Sequence, residues 1–380
     1  MSPPSRPLSV LMTTDAVGGV WFYATTLARA LCRDGMRVHL VTLGPPPRPD
    51  QLRPLRSVPG LHVEVTGLEL EWLDPEGHGF DRAATVLSAI EQRVKPDLVH
   101  LNGYREANIG WIAPVLVVAH SCVRSWWHAC RGSEPSEPRW RSYIAHVRSA
   151  LAAADVWAAP SAAFRDTIAQ LYAPPGRGQV IHNGIEDFWQ PATKEPFILA
   201  AGRLWDEAKN LSALAAVADR LDWPLRIAGP LRAPDSAPAP REVPACVRIL
   251  GELPRQQLLA QLGAAEIFAA PALYEPFGLT ILEAATAGCA LLLSDIGSLR
   301  ELWQGCAMFV DPRDPAAIGA ALDLLCHDAK LRRDLQAAAR QRAARYSLEA
   351  TADGYHSLYA RMVGGTRFGR ERPARAELHA

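Results

Sequence analysis

The chain has 380 residues, 49% of them hydrophobic, which is enough to bury a large core and to fill two domains rather than one. Its 40 basic and 40 acidic residues cancel, so no overall field draws it toward nucleic acid or an anionic membrane. The seven cysteines form no C-x-x-C pair and no dense framework, which argues against a disulfide scaffold and for a reducing, cytoplasmic compartment.

The apolar run Leu8–Met12 predicts the first strand. It is too short for a signal-peptide core, and no later run reaches transmembrane length. Further strands are expected at Val38–Thr42, Leu61–Val65, Leu98–Leu101, Val115–Ala119 and Val156–Ala159, with helical spacing over Ala24–Arg33 and Ala83–Arg93 between them. A second series runs through Phe197–Ala201, Leu225–Ala228, Val247–Leu250, Ile267–Ala270, Ala290–Leu293 and Ala307–Val310. This alternation is the rhythm of β-α-β units and a parallel sheet.

The fold class expected is therefore α/β, with two Rossmann-like parallel-sheet domains facing each other across a cleft. The first domain covers residues 1–185, the polar stretch 186–196 is the linker, and the second domain covers 197–352. Residues 230–245 are rich in proline and read as an exposed loop. Pro315–Val363 reads as helical throughout, and 364–380 as a flexible tail.

In open parallel sheets, ligands bind beyond the carboxyl ends of the strands. The segment Tyr274-Glu275-Pro276-Phe277-Gly278-Leu279-Thr280-Ile281-Leu282-Glu283 follows a predicted strand in this way. Gly278 stands where a loop turns into a helix, leaving amides from Phe277 onward free to face a phosphate. Glu283 lies just over one turn into that helix, within reach of a hydroxylated group beside the phosphate. Gly202-Arg203-Leu204 with Lys209 brings two cations to another strand end, where they can straddle a diphosphate. In the first half, Gly18-Gly19-Val20 opens a helix after the first strand, with Asp15 just before it. His120 closes the run Val115–Ala119, and Asn183-Gly184-Ile185 precedes the linker.

These motifs resemble the retaining glycosyltransferases of family 4, which have the GT-B fold. The likeness rests on the E-x7-E signature Glu275…Glu283 with its F-G-L-x-x-x-E-A setting, and on the G-R-L…K element Arg203…Lys209. It extends from about Leu8 to Val363. The resemblance implies a catalytic set of His120, Arg203, Lys209 and Glu275. Gly18, Gly19, Arg203, Lys209, Phe277, Gly278, Leu279 and Glu283 would bind the donor. Arg203 and Lys209 would hold its phosphates, Glu275 its sugar hydroxyls and Glu283 its ribose. Asp15, Trp126, Trp127 and Asn183 are the acceptor-side candidates. The terminal helix, around residues 353–363, would cross back to the first domain, with Tyr359 and Arg361 packed on it. One departure from the pattern is Asn210, which follows the lysine where the family usually has glycine.

The activity implied is transfer of a sugar from a nucleotide-diphosphate donor to a hydroxyl acceptor. The acceptor could be a glycan, a lipid-linked sugar or a small molecule, as in polysaccharide or glycoconjugate biosynthesis. No carboxylate is placed as a nucleophile, which argues against a covalent glycosyl intermediate; the resemblance implies same-face attack by the acceptor hydroxyl, assisted by the leaving phosphate. There is no D-x-D motif and no clustered metal-ligand spacing, so neither cofactor nor metal is expected; the nucleotide sugar is a co-substrate. Nucleic acid is not an expected partner, and oligomeric state is left open.

Segment 124–148 interleaves Trp126, Trp127 and Trp140 with five arginines. It reads first as a packed helix with a solvated arginine face. An acceptor surface, or peripheral contact with the inner face of a membrane, is the alternative. Other functional readings are a GT-B nucleotide-sugar epimerase, a glycogen-type polymerase and a non-catalytic nucleotide-sugar binding protein. An NAD-dependent oxidoreductase is disfavoured because neither half has a G-x-G-x-x-G loop after its first strand.

Overall fold

The structure, a computed structural model, describes residues 6–188, 192–232 and 244–365. Parts of the expected linker (189–191), the proline-rich loop (233–243) and the tail (366–380) lie outside the described residues.

Two wholly parallel sheets organise the chain. The first holds β1 (Ser9–Asp15), β2 (Arg37–Leu43), β3 (Leu61–Leu68), β4 (Leu98–Leu101), β5 (Val115–Val118), β6 (Val156–Ala159) and β7 (Gln179–Val180), in the order β3-β2-β1-β4-β5-β6-β7. The second holds β8 (Glu195–Ala201), β9 (Leu225–Ala228), β10 (Val247–Gly251), β11 (Ala265–Ala270), β12 (Ala290–Ser294) and β13 (Met308–Val310), in the order β10-β9-β8-β11-β12-β13. Helices cover both faces of each sheet, so central strands are buried on both sides and read as continuous apolar runs. For that reason the apolar runs find twelve of the strands. The thirteenth, β7, is two residues long, one of them an exposed glutamine, and carries no such run.

The region after residue 315 is helical as expected, in three helices: Pro315–His327, Ala329–Ala343 and Leu348–Gly365. Asp314 and Asp328 cap the first two, accepting hydrogen bonds from the amides of Ala317 and Leu331. The last helix places Ala352, Tyr355, Tyr359 and Met362 on one stripe, and that stripe is buried in the core of the first sheet against the helix Gly19–Arg33. Tyr359 is fully buried there, whereas Arg361 points to solvent and does not pack on the first sheet. No described helix is long and apolar enough to cross a membrane.

Candidate active site

Strand order reverses between β1 and β4 in the first sheet and between β8 and β11 in the second. Loops leave such a point in opposite directions and open a crevice there. The sequence motifs fall on these two crevices: Asp15 to Gly19 after β1, Gly202 to Lys209 after β8, and Tyr274 to Gly278 after β11. Contacts join the two sides. A Cβ on Gly18 would lie 2.9 Å from Nη1 of Arg203, and one on Gly19 3.9 Å from Leu279.

Arg203 donates from Nη2 to Asp206 Oδ2 at 2.5 Å, while its buried Nε has no partner among the described residues. Asp206 was not singled out in the sequence, yet it organises this corner. Its Oδ1 accepts from the amide of Ala208 (3.0 Å) and from Nε1 of Trp126 (3.1 Å), which comes from the first domain. Burial opposes ionisation of Asp206, but Arg203, Trp126 and Lys209 together hold its carboxyl below the usual range.

Lys209 closes a short turn and donates from Nζ to Glu275 Oε2 at 2.6 Å. Asn210 then takes the left-handed conformation, φ 51°, that glycine favours. Its Nδ2 also donates to the carbonyls of Pro271 (2.9 Å) and Pro312 (2.7 Å). The departure from the family pattern therefore keeps the backbone geometry and adds two anchors. Asn210→Gly should lose about 1 kcal/mol through those bonds, and Asn210→Ala about 1 kcal/mol more for the strained backbone. Equilibrium denaturation of both variants checks that order.

Beyond β11, Leu273 donates its amide to the carbonyl of Ala208, tying this loop to the Lys209 turn. The loop is also held by the first domain. Tyr274 OH lies 2.8 Å from Ser125 Oγ and accepts from the Cys122 amide, and Ser161 Oγ donates to Pro276 O at 2.8 Å. Phe277 is buried. Gly278, at φ 87°, opens the helix Leu279–Thr286, and a Cβ there would lie 2.7 Å from Ile281 Cδ1. With no capping side chain, the first-turn amides remain available to an anion. Glu283 is buried one turn in. Arg255, a second residue the sequence did not single out, donates to its Oε1 and stacks 3.8 Å over Phe22 of the first domain. Burial pushes the Glu283 carboxyl up in spite of that arginine.

On the first-domain side, Asp15 accepts the Val17 amide at 2.8 Å. Burial pushes its carboxyl up, against that bond and the charge of Arg203. His120 is half-buried, its Nε2 2.8 Å from Asn102 Oδ1 and its ring edge-on to Tyr23 at 4.4 Å. Burial and the neighbouring His100 push its imidazole down to about 3, so it is neutral near pH 7. Asn183 is buried, and its Oδ1 has no partner among the described residues.

Segment 124–148 forms two helices, Val123–Arg131 and Arg139–Ala153, with Arg131, Arg139, Arg141 and Arg148 exposed and Arg124 partly buried, as a packed segment with solvated arginines requires. Arg124 pairs with Glu134 and stacks on Tyr172. Arg139 stacks on Trp140, and Arg131 lies over Trp126 and Trp127 while reaching Glu207. Trp126 and Trp127 thus form part of the contact with the Arg203–Lys209 loop.

Two polar clusters lie outside this arrangement. His39, His62 and Glu64 on β2 and β3 have metal-ligand chemistry, but Glu64 already accepts from Arg93 at 2.5 Å and lies 2.6 Å from His39 Nε2. Behind β4, Glu71 accepts the amides of Tyr104 (3.0 Å) and Arg105 (2.8 Å). Burial and the nearby Glu106 push its carboxyl up to about 7, against those amides and Arg105. A carboxyl raised on folding binds more protons in the native than in the unfolded state between its two pKa values. The fold therefore loses stability as pH rises from about 4.5 to about 7. Glu71→Gln should flatten that slope, as read from melting temperatures across the window.

Comparison with known proteins agrees with the geometry. Residues 17–187 match the family model for Glycosyltransferase Family 4, and residues 185–342 match that for Glycosyl transferases group 1. The chain is 28% identical over 419 aligned positions to a D-inositol 3-phosphate glycosyltransferase of Xylanimonas cellulosilytica, covering 99% of this chain and 97% of the relative. It is 27% identical to an alpha-maltose-1-phosphate synthase of Mycolicibacterium smegmatis, over 71% of this chain and 81% of that one. Sucrose-phosphate synthase from Thermosynechococcus elongatus superposes with a TM-score of 0.79 at 18% identity, covering 94% of this chain and 100% of that one, which is a likeness of fold. With the paired family models spanning both sheets and their facing crevices, the chain belongs to glycosyltransferase family 4 and is a retaining GT-B enzyme that uses a nucleotide-sugar donor.

Proposed function

We propose that the donor's diphosphate lies between Arg203, Lys209 and the first-turn amides of the helix opened by Gly278, with the ribose on Glu283 and the transferred sugar between Glu275 and His120. The observation that carries this reading is the meeting of Gly18, Arg203, Lys209, Glu275 and that helix terminus where two topological switch points face each other. Arg203 and Lys209 already have counter-ions in Asp206 and Glu275, so they are held rigid before the donor arrives. As the sugar–phosphate bond breaks, charge grows on the leaving diphosphate where fixed cations and amides point, and there they stabilise the transition state more than the ground state. These groups supply the positive charge that a metal gives other transferases, so turnover is independent of a divalent cation. The acceptor hydroxyl attacks from the face the diphosphate leaves and passes its proton to the departing phosphate oxygen.

Asp15, Trp126, Trp127 and Asn183 stand on the acceptor side. The acceptor class is a hydroxylated glycan, lipid-linked sugar or small metabolite, consistent with polysaccharide or glycoconjugate synthesis. The test is release of nucleoside diphosphate from a panel of UDP-, GDP- and ADP-sugars, with and without chelator and in the presence of candidate acceptors. Chelator-insensitive release from one donor, lost in Glu275→Ala, is expected. Release abolished by chelator and restored by Mn²⁺ would overturn the metal-independent reading, and wild-type release persisting in Glu275→Ala would overturn the site.

A further inference from the structure

We propose that Arg255 is a positioning residue for the donor: it holds the buried Glu283 carboxylate for the ribose and is itself clamped by Phe22, so the first domain completes the nucleoside site of the second. The proposal rests on the reading of Glu283 as the ribose carboxylate; the pairing of Arg255 with Glu283 and Phe22 does not.

Three close approaches follow one another along the start of helix Gly19–Arg33. A Cβ on Gly18 would lie 2.9 Å from Nη1 of Arg203, and one on Gly19 3.9 Å from Leu279. The guanidinium carbon of Arg255 lies 3.8 Å over the Phe22 ring. On the second-domain side these partners run from the phosphate arginine, past the opening of helix Leu279–Thr286, to the cation paired with Glu283. A nucleotide laid along that helix start presents its diphosphate and then its ribose in the same order. Phe22 is also half-buried against the hydrophobic core of the second domain. Arg255 opens the helix Arg255–Ala264, and three residues before it Glu252 pairs with Arg48 of the first domain at 2.6 Å. The stretch after β10 is thus held twice from across the gap.

Glu283 is buried, and its Oε1 accepts from Nη1 of Arg255. The elements packed around its helix are helices Arg255–Ala264 and Ala329–Ala343 and strands β11 and β12. Among the described residues of these, Arg255 is the charged group that acts on Glu283. Ribose hydroxyls donate, so the acceptor opposite them must be ionised and fixed, whereas burial favours a protonated carboxyl. Arg255 opposes that tendency by balancing the charge and by tying down one carboxylate oxygen. A planar guanidinium suits both contacts, since its N–H edge bonds the carboxylate while its face rests on an aromatic ring.

The test measures binding of UDP, GDP and ADP to the full chain by calorimetry between about pH 5.5 and 9, and repeats the tightest of them in its 2′-deoxyribose form. Arg255→Gln should weaken that nucleotide at least about tenfold at the acid end. The acid limb of binding should also move up by about one pH unit or more, because Glu283 then keeps its proton to higher pH. Titration of the nucleotide's own phosphate is common to all variants and cancels. In a Glu283→Gln background the same substitution should change affinity less than about twofold. Arg255→Lys keeps the charge without the flat face, so the acid limb should stay in place while affinity falls about threefold; Phe22→Leu should do the same. An unmoved acid limb in Arg255→Gln, equal losses with and without Glu283, or wild-type affinity in Phe22→Leu overturns the proposal. So does binding of none of the three nucleotides. If Arg255 and Glu283 are coupled but the 2′-deoxyribose form binds as tightly as its parent and feels Arg255→Gln equally, the pair stands and the ribose placement falls.

Discussion

Lys209→Ala is expected to lower kcat for nucleotide-diphosphate release about 100- to 1,000-fold, the usual cost of removing one preorganised group from developing charge. The effect should exceed that of removing an ordinary phosphate contact, because Lys209 has a second task. Its Nζ neutralises Glu275 at 2.6 Å, and both side chains are largely shielded from water. Without the lysine, the glutamate is an unpaired anion beside the position proposed for a diphosphate, so donor binding is opposed as well as unassisted. Glu275→Gln leaves the cation in place and keeps an amide for the sugar hydroxyls, so its loss should be smaller and fall mainly on kcat. The double variant Lys209→Ala/Glu275→Gln should then be less impaired than the two single losses combined, because the second change removes the repulsion left by the first. Steady-state kinetics on the three variants gives the coupling directly. Lys209→Ala retaining kcat and donor KM within about threefold would remove this pair from the site.

How far the sequence reveals this arrangement depends on what kind of signal each residue leaves. Buried parallel strands announce themselves as apolar runs, which is why β4, β6 and β9 are legible to the residue and β7, with Gln179 at an edge, is not. Glu275, Glu283, Arg203 and Lys209 are legible because their spacing is imposed by one loop and one helix turn, both local. Asp206, Arg255 and Asn102 leave no such trace. Each is an ordinary polar residue until the fold brings it to Trp126, Phe22 or a pair of histidines from another part of the chain. In segment 124–148 the exposure of Arg131, Arg139, Arg141 and Arg148 is legible, but the reach of Arg131 to Glu207 arises only through tertiary contact. Tyr359 and Arg361 sit two residues apart on one helix, so a 3.6-residue period puts only one of them on the buried face.

Gly184→Ala is expected to destabilise the chain by about 3 kcal/mol, at the upper end for an overpacked site, with the melting temperature falling on the order of 5–10 °C. The added Cβ would lie 2.1 Å from the carbonyl oxygen of Ser347 and 2.6 Å from Thr351 Oγ1. Ser347 belongs to the backbone crossing that starts the terminal helix, and Thr351 to the helix's first turn. There Ile185 and Leu348 exchange main-chain bonds across residues 346–348, and Thr351 Oγ1 donates to His182 O at 2.9 Å. The Ser347 main chain cannot move aside as a side-chain tip can, so the helix that carries Tyr355 and Tyr359 must be pushed off the first sheet. Gly18→Ala is the informative contrast, the same methyl group added beside a different neighbour. Gly18 is in extended backbone that any residue adopts, and the atom its Cβ would meet is the tip of the Arg203 side chain, 2.9 Å away. That tip can shift, so stability should hold within about 1 kcal/mol while displaced Arg203 lowers kcat/KM about tenfold. Thermal unfolding and donor kinetics on the two variants should therefore separate, one losing stability and the other losing turnover. Equal losses of stability would mean that the Gly18 loop is as rigidly walled as the crossing at Gly184, and that the two halves of the cleft are one packed unit rather than two facing edges.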